Sequence, residues 1–124
     1  MQRENCGHEH EHEMRATEAK ENCLSEENLT RVCNLFRVLS EPSRLKIVLA
    51  LKAGELCVYH IVEACGGTQS AVSHQLRVLK DNGVIKSRRE GQNMLYSLAD
   101  GHIMEILQIS EAHLSCALFG EAKQ

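Results

Sequence analysis

The chain has 124 residues, about one domain. At 43% hydrophobic, 25% charged and only 3% aromatic, with one Pro and no Trp, the composition is that of a globular domain with an aliphatic, helix-rich core. The net charge of −3 argues weakly against a nucleic-acid partner, and no run approaches the roughly 20 apolar residues of a membrane span, so no membrane partner is expected.

The distribution of charge reverses the first of these arguments. Residues 1–28 hold eight Glu against three Lys or Arg, whereas residues 68–98 hold five Lys or Arg against two acids. A basic patch confined to one segment is the pattern of a DNA-binding domain. Six cysteines, Cys6, Cys23, Cys33, Cys57, Cys65 and Cys116, would suggest disulfides in a small secreted chain. The start MQRENCGHEHEHEM has no apolar leader, so the chain is read as cytoplasmic, with reduced thiols suited to metal or redox chemistry.

In chain order, residues 1–26 lack apolar periodicity and alternate His with Glu, which predicts a flexible arm suited to metal binding. Ser25, just before the second region, residues 27–124, can cap its first helix, and Leu29, Val32, Cys33, Phe36 and Leu39 follow at helical spacing. Cys33 is expected in the core. Pro42 fits the first turn of a second helix, PSRLKIVLALKA, ended by Gly54. A third, ELCVYHIVEAC, stops at Gly66-Gly67, with Cys65 as a structural residue beside its end. Thr68 caps a fourth, TQSAVSHQLRVLKDNG, with Ala71, Val72, Leu76 and Leu79 inward and Ser70, Ser73, His74, Arg77 and Lys80 outward. VIKSRRE and NMLYSL then flank the turn EGQN as a hairpin, and a last helix starts from Asp100.

Two helices joined by a short glycine turn, the second polar and weakly basic outward, form a helix-turn-helix signature. Ser70, Ser73, His74 and Gln75 stand near the start of the second helix, where a recognition helix meets base edges. Arg77 and Lys80 are better placed for phosphates. Arg88, Arg89 and Gln92 make the hairpin a wing along a phosphate backbone or minor groove.

The last helix, DGHIMEILQISEAHLSC, carries Asp100 and His102 at one end and His113 and Cys116 at the other. Eleven residues make about three turns, so both imidazoles share a face but lie about 16 Å apart, too far to share one ion. Two such helices paired antiparallel across a two-fold axis would bring Asp100 and His102 of one to His113 and Cys116 of the other. The pattern therefore predicts a homodimer paired through its terminal helices, with two four-ligand sites.

LSEPSRLKIVLAL, ELCVYHI, TQSAVSHQLRVLKDNGVIKSRREGQNMLYSL and the DGH…H…C helix together resemble the ArsR/SmtB family of metal-sensing winged-helix repressors, over about Leu29 to Cys116. The resemblance implies a mainly α winged helix-turn-helix with a β-hairpin wing, whose metal-free homodimer binds double-stranded operator DNA and releases it on binding metal, derepressing efflux or sequestration genes. It implies two metal positions. One falls on Asp100, His102, His113 and Cys116, where the thiol departs from the family's acidic or His ligand. Zn(II) fits, and the soft thiolate brings Cd(II) and Co(II) into contention. The other begins at Cys57, with His60 three residues on, and would draw further ligands from Cys6 and one of His8, His10 or His12 in the arm.

A thiol-sensing repressor of the same fold and a metal-buffering protein are the alternatives; the first lacks a CxxC pair, and the second leaves the helix-turn-helix and wing without use. A zinc enzyme is not expected, because both positions offer four protein ligands and no open coordination site. Nor is an organic small-molecule substrate.

Overall fold

The computed structural model describes residues 9–119, with side chains as far as Cys116. The elements are α1 (Glu9–Glu21), α2 (Glu26–Leu39), α3 (Pro42–Ala50) continued by a 3₁₀ turn (Leu51–Ala53), β1 (Leu56–Cys57), α4 (Val58–Cys65), α5 (Gln69–Asp81), β2 (Ile85–Glu90), β3 (Asn93–Leu98) and α6 (His102–Phe119). They fall into two compact units, one ending at Asn34 and one beginning at Leu35.

In the first unit, the segment expected to be a flexible arm forms α1 over Glu9–Glu21 with no buried residue. Its missing apolar period speaks only of what the helix buries. Glu, Met, Ala, Lys and Arg are strong helix formers, and they dominate this segment. The Asn28 N–H donates to Ser25 Oγ at 3.2 Å, the expected cap of α2. Cys33, expected in the core, is exposed, as are Leu29 and Val32 beside it.

The second unit is a winged helix-turn-helix. Its core is wholly aliphatic: Val38 and Leu39 of α2, Ile47, Val48 and Leu51, Ile61 of α4, Val72, Leu76 and Leu79 of α5, Val84, Ile85 and Ile103 of α6. Each such side chain contributes about 1.5–3 kcal/mol when fully buried. Pro42 opens α3, and the preceding Glu41 carboxylate accepts the Arg44 N–H at 3.2 Å and the Ser43 hydroxyl. The third helix was expected from Glu55, but Leu56 and Cys57 form β1 instead, paired antiparallel with Tyr96 and Leu95 of β3. Their backbone groups are claimed by the ladder, so α4 starts only at Val58.

Gly66 and Gly67, at φ 82° and 87°, make the turn between α4 and α5, a conformation costly to any residue with a Cβ. Thr68 Oγ1 then accepts the Ala71 N–H at 3.0 Å, capping α5 as expected. Ala71 itself is exposed rather than inward, one step off the buried stripe of Val72, Leu76 and Leu79. β2 and β3 pair from Ile85↔Leu98 to Glu90↔Asn93, leaving Gly91 and Gln92 as a two-residue turn. Gly91 at φ 63° takes the place that a type II′ hairpin reserves for glycine. The sheet order is β1-β3-β2, so β3 is central and half-buried along most of its length.

Candidate nucleic-acid interface and metal-ligand pairs

The buried stripe of α5 fixes what its other side presents. With Val72, Leu76 and Leu79 in the core, Ser70, Ser73, His74, Arg77 and Lys80 are all exposed. Gln75 differs: it is half-buried, and its Oε1 accepts from Arg44 Nη1 at 3.1 Å. Arg44 also donates from Nε to the Val38 carbonyl at 2.8 Å, tying the end of α2 to α5. Sequence reasoning passed over Arg44, because both partners are distant along the chain or in its backbone.

On the wing, Arg88, Arg89 and Gln92 are exposed, as expected. Arg88 is not solitary. Its Nε and Nη2 donate to Glu55 Oε2 and Oε1, each at 2.7 Å, and Nη2 also meets Glu90 Oε2 at 3.1 Å. The bonds from Arg88 hold the Glu55 carboxyl below its ordinary range, and both carboxylates push the guanidinium further up. Glu55 is the second residue that the sequence did not reveal.

Two pairs of potential metal ligands are assembled within the chain. Cys57, the last residue of β1, stands at the N-cap of α4, so His60 one turn later comes back over it, with Nδ1 3.3 Å from Cys57 Sγ. The Tyr59 ring meets His60 edge-on, 5.5 Å between centroids. At the start of α6, Asp100 Oδ1 accepts the His102 N–H at 2.9 Å and lies 3.3 Å from His102 Nδ1. That backbone bond is the main reason the Asp100 carboxyl lies below its ordinary range, which keeps it an anionic donor.

Ligand bonds of about 2.0–2.3 Å in a tetrahedron set donors about 3.3–3.8 Å apart. Both pairs match that edge, so the donor sets fit a tetrahedral ion. Neither pair is complete: among the described residues, no three His, Cys, Asp or Glu side chains of one chain converge on a common point. His113 and Cys116 are exposed further along α6, and His10 and His12 are exposed on α1. Cys6 and His8 lie outside the described residues. Cys65 packs against the core, and its burial pushes the thiol up, with Lys46 opposing.

Residues 41–87, from the cap of α3 into β2, match the family described as "Bacterial regulatory protein, arsR family". The chain is 41% identical over 91 residues to a transcriptional repressor SmtB homolog of Synechocystis, covering 73% of this chain and 69% of that one. It is 33% identical over 114 residues to a cadmium resistance transcriptional regulatory protein CadC homolog of Staphylococcus aureus, covering 91% and 93%. Among solved structures it is similar to the homodimeric winged helix-turn-helix DNA-binding domain of a possible ArsR-family regulator from Mycobacterium bovis, with a TM-score of 0.69, 26% identity, and 77% of this chain and 92% of that one covered.

Proposed function

Because this chain belongs to the ArsR family of bacterial regulatory proteins, we propose that it is a metal-responsive transcriptional repressor. Its metal-free homodimer binds operator DNA and leaves it when Zn(II), or Cd(II) or Co(II) in its place, is bound. The observation that carries this reading is the Asp100–His102 pair, already spaced as one edge of a tetrahedral site, with His113 and Cys116 exposed about three turns along the same helix.

In a two-fold dimer, Asp100 and His102 of one protomer and His113 and Cys116 of the other would hold the ion, which supplies a crosslink between the two α6 helices. Exposed apolar residues of the second unit support such pairing: Phe36 on α2, and Ile109 and Leu114 on α6. Cys57 and His60 form a second ligand pair.

Ser70, Ser73 and His74 face base edges, while Arg77, Lys80, Arg88 and Arg89 face phosphates. Recognition helices enter successive major grooves only when about 34 Å apart. A crosslinked dimer with a different spacing opposes DNA, and a coupling of about 3 kcal/mol weakens operator binding roughly 150-fold. His must be neutral and Cys deprotonated to serve as ligands, so release weakens in acid.

The test is fluorescence anisotropy of the reduced protein on DNA from its own promoter, at fixed salt, before and after Zn(II) and again with chelator. Loss of binding on zinc and its return with chelator is the expected result. Zinc binding with unchanged DNA affinity would contradict the proposal.

A further inference from the structure

We propose that Glu55 restrains operator binding: it holds the wing's Arg88 in a carboxylate clamp that a DNA phosphate must displace. The inference rests on the reading of the wing as a DNA contact. Nε and Nη2 of Arg88 each donate at 2.7 Å to a different oxygen of Glu55, the two-pronged geometry by which a guanidinium also takes a phosphate. Glu90 adds a third contact to Nη2. A phosphate therefore meets a guanidinium whose fork is filled and whose charge is outweighed by two carboxylates.

Arg88 and Glu55 side chains are 52% and 37% exposed, so solvent screens the clamp, although its two-pronged geometry sets it above the usual exposed ion pair. The sheet has its own ladders to fix β1, β3 and β2. What the clamp does is reach across the sheet. Leu95 of β3 pairs with Cys57 on one side and with Arg88 on the other, so these three residues form one rung. Glu55, two residues before Cys57, spans about two strand spacings, close to 10 Å, to seize a side chain at the far end of that rung. The segment that carries Cys57 thus also governs a cation of the wing.

The experiment measures promoter-DNA affinity of the full-length reduced protein, with chelator present, over a series of salt concentrations. Wild type is compared with Glu55→Gln, Glu55→Asp, Arg88→Gln and the Glu55→Gln/Arg88→Gln double variant. Glu55→Gln is expected to bind several-fold tighter, with a salt slope steeper by up to about 0.9, because in wild type the displaced Glu55 carboxylate takes up a cation and offsets the one that Arg88 releases from the phosphate. Glu55→Asp keeps the charge but is too short for both bonds, so it should follow Glu55→Gln. In the Arg88→Gln background, Glu55→Gln should change nothing.

Several results overturn the proposal. Wild-type affinity in Glu55→Gln, or weaker binding, would show that the clamp does not compete with DNA. A gain that survives in the Arg88→Gln background, or is missing from Glu55→Asp, would assign the effect to general repulsion. In all of these cases, weaker binding by Arg88→Gln leaves the wing reading intact. If Arg88→Gln itself binds as wild type, the wing reading of Arg88 fails, and this inference with it.

Discussion

The two ligand pairs have similar local geometry and opposite settings. Cys57 and His60 sit where an edge strand turns into a helix, in register with the wing and inside the core-bearing unit. Asp100 and His102 start a helix that joins the core through Ile103 and then exposes Ile109 at 69%. An ion held at the first pair would act on one protomer's sheet, whereas one held at the second would act where two protomers meet. Similar donor spacing therefore does not imply similar consequences; the element that carries the pair decides what an ion can move.

The sharpest way to break this contrast is to remove one imidazole from each side. His102→Ala or His113→Ala should keep operator binding in chelator yet lose zinc-driven release, a change of roughly 150-fold in the ratio of affinities with and without metal. His60→Ala should retain release. The opposite pattern in the same anisotropy titration would transfer the regulatory role to the sheet.

Next in size, Asp100→Asn separates ligation from capping. Asn caps a helix about as well as Asp, so the melting temperature should hold. Zinc affinity should fall by about 10–100-fold or more, since even removing a group that only orients a ligand costs that much. A competition titration with a chromophoric chelator measures it. On the wing side, Gly91→Ala should destabilise the protein by about 1 kcal/mol through its positive φ alone, because nothing lies within 4 Å of the added methyl. A thermal melt that matches wild type would show that the turn has adjusted.

The smallest effect concerns a carboxylate that caps without ligating. Ser43, first, and Arg44 hold the Glu41 carboxyl below its ordinary value of 4.5. A depressed carboxyl stabilises the folded chain above that value, and the contribution fades as pH falls through the lower folded value. Glu41→Gln should therefore lower neutral stability slightly and leave stability in acid nearly unchanged, which flattens the acid limb of a pH–stability curve.

Local signals were legible in the sequence. Caps at Ser25 and Thr68, Pro42 at a helix start, the glycine turns and the two-residue hairpin all depend on neighbours within about four residues, as does the Cys57–His60 pair. What could not be read depended on distant partners. Leu56 and Cys57 look helical until β3 claims their backbone, and the Glu55–Arg88 clamp joins residues 33 apart. Ala71 has apolar character that periodicity assigns inward, yet it stands at the edge of its helix's buried stripe, and Cys33 lies in the turns of α2 before that helix's buried residues, Val38 and Leu39. For α1 the error was different: a helix can rest on propensity with nothing to bury, and apolar periodicity is blind to it.

The near-absence of aromatic rings gives the molecule an optical property. With no Trp and two Tyr, its ultraviolet emission comes from Tyr59 and Tyr96. Tyr96 lies in the central strand, while Tyr59 is 66% exposed with its ring against His60. No tyrosine occurs on α6. The chain thus carries a built-in lamp beside one ligand pair and none on the helix of the other, so label-free emission can tell which pair a metal fills first.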